Sequence, residues 1–216
     1  MDKPMFSIVI PAYNSESFIC EGLSSIASQQ FSDYEIIVVC DNCTDRTEAI
    51  AEMYGAKTIA VNYGRDGLSR DKGISMATGE WILFMDDDDW FVHDYCFKML
   101  ADEINSYKTW TDEGADVIAF GYLCKGRGYV PPSEKTIFQP GEAHVWSNCW
   151  RREAISGAAF GDAMFCSDTY FIRDMKKRVK RYELFDTPLY YYNFLREGSQ
   201  TDLLIQGKIR QSPVAR

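Results

Sequence analysis

Apolar residues arrive in two rhythms along the first hundred residues. Compact runs at 6–10, 35–39, 57–61 and 81–85 alternate with stretches where apolar positions recur every three or four residues. The runs are nearly continuous, as expected for strands of a parallel sheet covered on both faces. Between them, Phe18, Ile19, Leu23, Ile26 and Ala27 share one helical face behind a candidate cap at Ser15. Asp45-Arg-Thr-Glu48 reads as a capping box opening a second helix through Ile50 and Met53. Residues 68–77 and 93–106 read as the third and fourth helices. The order βαβαβαβα predicts an α/β fold, a Rossmann-like and mainly parallel sheet with flanking helices.

The back half is less regular, and a mixed extension is expected there. Residues 116–122 read as a strand, 168–181 as a helix and 189–195 as an aromatic strand. Gly, Pro and charged residues between 125 and 141 read as a loop or hairpin. Charge divides the chain in the same place. Residues 1–103 hold 7 Lys and Arg against 19 Asp and Glu, whereas residues 104–216 hold 16 against 13. Two lobes are therefore expected, 1–104 and 105–216, one for a donor and one for an acceptor. An acidic front half argues against a nucleic-acid groove, which needs clustered Lys and Arg. It is compatible with one phosphorylated ligand held through a divalent cation. A composition of 46% hydrophobic and 25% charged residues excludes disorder as the main state. No apolar run reaches the ~18–20 residues that span a bilayer. Run 6–10 is also too short for a signal-peptide core, so the expectation is a soluble, cytoplasmic chain. Seven irregularly spaced Cys fit reduced thiols.

In sheets of this kind ligands bind outside the carboxyl ends of the strands. Pro11-Ala-Tyr-Asn14, Cys40-Asp-Asn-Cys43 and Asp86-Asp-Asp-Asp89 each follow a predicted strand. Four adjacent carboxylates repel one another, and nothing nearby in sequence neutralises them. A divalent cation would make the run tolerable, with Asp86 and Asp88 on one side; the plainer reading is a solvated acidic turn. Asp41 stands where a carboxylate accepts hydrogen bonds from a base or ribose, or caps the next helix. The C-x-x-C pair, without a second pair or a nearby His, reads as small buried thiols rather than a redox or metal motif. His93 and His144 read as structural. Residues 64–73 are Gly-rich and offer Arg65, Arg70 and Lys72 to a pyrophosphate, or form an exposed loop.

Taken together, these pieces resemble the family 2 glycosyltransferases, inverting enzymes with the GT-A fold, from Phe6 to about Thr201. The residues that carry the resemblance are Ile10-Pro-Ala-Tyr-Asn14, Val39-Cys-Asp-Asn-Cys-Thr-Asp45, Ser69-Arg-Asp-Lys-Gly73, Ala77-Thr-Gly-Glu-Trp-Ile82 and Asp86–Asp89. Downstream come Ser167-Asp168, Leu189-Tyr-Tyr-Tyr192, Arg196 and Ser199. The resemblance implies roles. Pro11, Ala12, Tyr13, Glu16 and Asp41 would line or contact the nucleoside, most often uridine. Arg70 would support the base or pyrophosphate. Asp86 and Asp87 would face the ribose and donor sugar, Asp88 would ligate Mg²⁺ or Mn²⁺, and Asp168 would be the general base, with Asp162 its rival. Three departures stand out: Cys40 and Cys43 in the nucleoside turn, Asp71 for the usual Asn, and Ser167 for the usual Glu.

The implied reaction moves a sugar from a nucleotide diphosphate, such as a UDP-sugar, to the hydroxyl of a carbohydrate or lipid-linked acceptor in polysaccharide or glycolipid synthesis. A metal stabilises the leaving diphosphate. One carboxylate on the far side deprotonates the acceptor, and attack there inverts the anomeric carbon. Two other readings remain open at this level: a nucleotide-sugar-binding protein without turnover, and a metal-dependent phosphohydrolase or nucleotidyltransferase. The basic run 173–181 offers a contact to an anionic membrane surface at the inner face, against the plainer reading of a solvated helix.

Overall fold

Burial of the apolar runs organises the sheet. A computed structural model of the chain describes residues 3–111, 113–163, 167–197, 199, 202–203 and 206–207; Thr201, where the resemblance ends, lies outside them. The four runs become β1 (Phe6–Ala12), β2 (Tyr34–Asp41), β3 (Lys57–Val61) and β4 (Trp81–Phe84), all parallel, in the order β3-β2-β1-β4. Ile8, Val9, Ile10, Ile37, Val38, Val39, Leu83 and Phe84 are fully buried, as two-sided cover requires. β3 lies at the edge and is correspondingly half exposed. Helices α1 (Ile19–Ala27), α2 (Thr47–Met53), α3 (Asp66–Met76) and α4 (Cys96–Thr111) follow the first strands. α3 packs on β1 and β2. α4 inserts Phe97 among the rings of Phe6, Tyr34 and Phe91.

The back half completes the same sheet. β5 (Trp90–Phe91), β6 (Val117–Cys124), β7 (Gly128–Val130), β8 (Asn148–Arg151) and β9 (Tyr182–Tyr192) are joined through α5 (Glu134–Phe138), a 3-10 turn at Val145–Ser147 and α6 (Ser167–Arg178). The order continues from β4 as β8-β6-β9-β5, with β7 a hairpin partner of β6. β8 is antiparallel to β4 and β6, β9 is parallel to β6, and β5 is antiparallel to β9. β1, β2, β3, β4, β6 and β9 therefore point one way and deliver their carboxyl ends to one edge. The mainly parallel, mixed sheet is thus as expected. No described helix is long and apolar enough to cross a membrane.

Local expectations needed correction where a side chain had a distant partner. Ser15 does not cap α1 with its hydroxyl; that group bonds the Asp87 carboxylate. No reciprocal box opens α2. Asp45 accepts both the N–H and the hydroxyl of Thr47 through one oxygen, at 3.0 and 2.6 Å, and the Glu16 N–H through the other at 3.0 Å. The fourth helix runs later than expected, and the aromatic strand begins seven residues earlier, at Tyr182. β5 and β8 are too short for any periodicity to announce them.

α3 reaches the sheet through a glycine. A Cβ on Gly73 would lie 2.2 Å from Cγ1 of buried Val9. Alanine raises intrinsic helix propensity by about 1 kcal/mol over glycine, but overpacking costs roughly 1–3 kcal/mol. Gly73→Ala should therefore lower the urea midpoint despite its better helix propensity. An unchanged or higher midpoint would show that α3 does not sit this close to β1.

Candidate active site

The shared strand edge gathers the predicted clusters. β1 ends in Pro11–Asn14, β2 in Asp41 and Asn42, β4 runs into Asp86–Asp89, and β9 runs into Asn193 and Arg196. β8 runs the opposite way, so the residues before it, His144–Ser147, stand at this edge too. A pocket of about 760 Å³ opens here. Of the ten residues singled out from sequence, eight line it, and Glu16 and Asp168 do not.

The four carboxylates of the acidic run turn to four different partners. Arg70 Nη2 donates to Asp86 Oδ1 at 2.6 Å. Tyr13 N–H donates to Asp87 Oδ2 at 3.1 Å, and the Ser15 hydroxyl bonds the same oxygen. Arg196 Nε donates to Asp88 Oδ2 at 2.6 Å. Asp89, 1% exposed, takes the Tyr190 hydroxyl at 2.9 Å and the Asn193 N–H at 2.8 Å. The neutralising cations that are absent nearby in sequence come from 16 residues back and 108 ahead. The run is therefore not one cage: among the described residues no three His, Cys, Asp or Glu form a metal-holding group. Burial and the neighbouring Asp88 charge push Asp87 up to about 7. Burial raises Asp88 as well, with Arg196 opposing.

Arg70 is the centre of the floor. It is 5% exposed, and besides Asp86 it bonds Asp66 Oδ2 at 2.6 Å and lies 3.7 Å from Asp168 Oδ1. Its Nη1 also donates to the Ser167 hydroxyl at 3.3 Å, which itself donates to Asp66 at 3.0 Å. The expected contact from Arg70 to a pyrophosphate thus has to compete with three carboxylates. Asp168 opens α6, accepts the Val145 N–H at 3.3 Å, and keeps its side chain 23% exposed. Burial pushes it up to about 6, against the opposing Arg70 charge. Its rival Asp162 is exposed on the preceding loop. Asp71, one of the departures, accepts the N–H groups of Phe160 and Gly161 at 2.8 and 3.1 Å and so ties that loop to α3.

The residues expected to contact a nucleoside are largely engaged with the protein itself. Asp41 accepts five protein donors within 3.1 Å: the N–H groups of Tyr63, Gly64 and Arg65, the Asn42 amide and the Ser69 hydroxyl. It shapes the 63–65 loop as well as lining the pocket. Glu16 turns away to accept the Arg46 N–H at 2.8 Å. Tyr13 is 64% exposed and leaves its ring open to the pocket. Most of the 64–73 segment is helix α3 rather than a loop. Cys40 and Cys43 sit together, and contact with the Cys40 thiol draws Cys43 down to about 7. His144, expected to be structural, stacks its ring on Trp146 at 4.6 Å, and Trp146 stacks on Tyr190 at 4.9 Å, a packed column leading to Asp89. Sequence reasoning gave Arg196 no role of its own, because its partner lies 108 residues away.

Removing Arg70 would leave Asp66, Asp86 and Asp168 crowded without their shared cation. Breaking such a cluster costs about 3–5 kcal/mol, so Arg70→Ala should lose about that much in urea unfolding at pH 8. Without the guanidinium to oppose its burial, Asp168 binds its proton more readily in the folded state, so the deficit should shrink toward pH 5. A deficit independent of pH would show that packing, not charge, is what Arg70 supplies.

Comparisons with known proteins agree with this geometry. Residues 7–109 match the model of glycosyl transferase family 2. The uncharacterized glycosyltransferase EpsJ of Bacillus subtilis is 32% identical over 216 residues, covering 88% of this chain and 61% of EpsJ. The chain thus spans about three fifths of the length of the full-length relatives it matches over most of its course. The poly(ribitol-phosphate) beta-N-acetylglucosaminyltransferase TarS of Staphylococcus aureus is 40% identical over 93 residues, 39% of this chain and 16% of TarS. The crystal structure of TarS 1–349 in complex with UDP-GlcNAc superposes with a TM-score of 0.78 at 27% identity, over 91% of this chain and 60% of that one. A mannosyltransferase of Pyrobaculum calidifontis, solved with GDP-Man and Mn²⁺, shares the fold alone, at TM-score 0.67 and 16% identity over 92% of this chain and 59% of that one. With this sheet, this acidic edge and these relatives, the chain belongs to the family 2 glycosyltransferases and has the GT-A fold.

Proposed function

We propose that the chain transfers a hexosyl or N-acetylhexosaminyl group from a UDP-sugar to an acceptor hydroxyl, with inversion, in polysaccharide or glycolipid synthesis. The observation that carries this reading is the Arg70 guanidinium, which holds Asp86 on the donor side and Asp168 on the acceptor side. Residues up to about 104 bind the donor, and the remainder presents the acceptor and the base. Tyr13 offers its open ring to the uracil, and Asp41 sets the loop that borders it. Asp168 takes the proton of the attacking hydroxyl, kept close to neutrality in pKa by its burial and in place by Arg70 and the Val145 N–H.

The donor set at the pocket wall suits Mg²⁺ or Mn²⁺. Such ions take one or two carboxylates and complete their shell with substrate phosphates and water. Asp88 lines the pocket with a hard oxygen ligand, too few alone to cage an ion. Bound there, a divalent cation would supply Lewis-acid stabilisation to the leaving diphosphate. TarS, by its name, acts on a polymer, which supports a polymer or lipid-linked acceptor here. Arg173, Lys176 and Lys177 are exposed on α6 and offer that acceptor's anionic membrane a contact at the cytoplasmic face.

Asp168→Asn keeps shape and removes basicity. UDP release from UDP-GlcNAc and UDP-glucose, with water or sugar as acceptor, should fall ~10²–10⁴-fold while UDP affinity stays within a few-fold. Wild-type rate should fall tenfold per pH unit below about 6, because only the ionised base accepts a proton. A carboxyl whose folded pKa is raised disfavours the fold once ionised, so Asp168→Asn should melt no lower than wild type at pH 8. Normal turnover in Asp168→Asn, with loss in Asp162→Asn, would move the base to Asp162.

The metal reading has its own test, in calorimetric titration of UDP. Affinity should be higher with Mn²⁺ than in EDTA, and Asp88→Ala should erase that difference without unfolding the chain. Equal affinity in chelator for wild type would overturn it.

A further inference from the structure

The contact between Arg196 and Asp88 has a consequence for how a cation enters. Arg196 Nε lies 2.6 Å from Asp88 Oδ2, and the two side chains are only 27% and 14% exposed. The guanidinium also lies 4.0 Å over the ring of Phe18, which lines the same pocket. The segment bearing Arg196 is pinned just ahead of it. Asn193 N–H donates to Asp89 at 2.8 Å, Lys125 Nζ donates to Asn193 Oδ1 at 3.0 Å, and Leu195 adopts a left-handed φ of 56°. Two neighbouring carboxylates therefore have separate duties: Asp89 anchors the segment, and Asp88 receives its cation.

We propose that Arg196 is the resident counter-ion of Asp88 and makes the metal seat conditional on a nucleoside diphosphate. This rests on the reading of Asp88 as a metal ligand. A guanidinium and a divalent cation want the same carboxylate oxygen and repel each other. Entering alone, the ion must displace a short charge-assisted bond and gains one carboxylate in return. With a diphosphate present the ion also gains phosphate oxygens, and the displaced guanidinium finds an anion in the pocket it already borders. A monophosphate offers one phosphate where both cations need a share. Arg196 thereby discriminates nucleoside diphosphates from monophosphates, a specificity role beyond binding charge.

Mn²⁺ binding, read from the free-ion signal in electron paramagnetic resonance, tests this without any turnover. Wild type, Arg196→Gln and Arg196→Lys are titrated alone, with UMP and with UDP. Arg196→Gln should bind Mn²⁺ alone roughly tenfold more tightly than wild type, the scale of one opposite charge beside a carboxylate. Its gain on adding UDP should shrink by a similar factor, and Arg196→Lys should keep the wild-type pattern. Should the Gln variant fail to fold, Phe18→Leu gives a second route: freeing the guanidinium from its ring should raise Mn²⁺ affinity in the same direction. Tight and equal Mn²⁺ binding by wild type and Arg196→Gln would overturn the counter-ion proposal while leaving the metal reading intact. No UDP-dependent Mn²⁺ binding by wild type, or its survival in Asp88→Asn, would overturn the metal reading and this proposal with it.

Discussion

One buried guanidinium holds the active edge together. Arg70 stands on α3, Asp86 at the end of β4 and Asp168 at the start of α6, and one cation contacts both carboxylates where these packed elements meet. Asp66, a turn before Arg70 on its own helix, adds a third. Taking these charges from water is costly, and replacing a buried ionic cluster by apolar groups is often neutral or stabilising. The cluster is thus poorly explained as a source of stability. What it supplies is a fixed relation between a carboxylate at the end of β4 and one at the start of α6, which an apolar contact would not give.

The same economy governs the acidic run. Four carboxylates in a row are tolerated because the fold hands each a different partner: α3 for Asp86, the β1 loop for Asp87, and the segment after β9 for Asp88 and Asp89. Six strands pointing one way make this possible, since every partner arrives at the edge where β4 ends. Sheet direction and site electrostatics are one constraint. A β9 running the other way would put Asn193 and Arg196 at the far edge and leave two carboxylates uncompensated.

How far the sequence could be read follows from the range of the forces. The first four strands and their helices were legible because burial on two faces writes continuous apolar runs, and strand ends then located Tyr13, Asp41 and Asp86–Asp88. β5 and β8 were not, because a strand of two or four residues has no period to detect. Cap residues were misread where a distant group outbid the local one, as Asp87 does for Ser15. Glu16 stands outside the pocket lining for the same reason, drawn to Arg46. Arg196 was part of the resemblance but had no role, because its partner Asp88 lies 108 residues away and no local pattern encodes that contact.

The departures from the family pattern also acquire physical reasons. An Asn at position 71 would offer one carbonyl oxygen to the two N–H groups of Phe160 and Gly161, whereas Asp71 offers an oxygen to each. At position 167 the usual Glu would bring one more carboxylate toward Arg70, which already faces those of Asp66, Asp86 and Asp168. Ser167 instead donates to Asp66 and accepts from Arg70, so it relieves negative crowding rather than adding to it. It is also short. The Ser167 Cβ lies 2.8 Å from where a Cβ on Gly67 would stand, and the Gly161 carbonyl lies 2.7 Å from the same point. So close an approach requires glycine at 67, and the hydrogen bonds of Asp71 and Ser167 tie α3 to the segment that leads into Asp168.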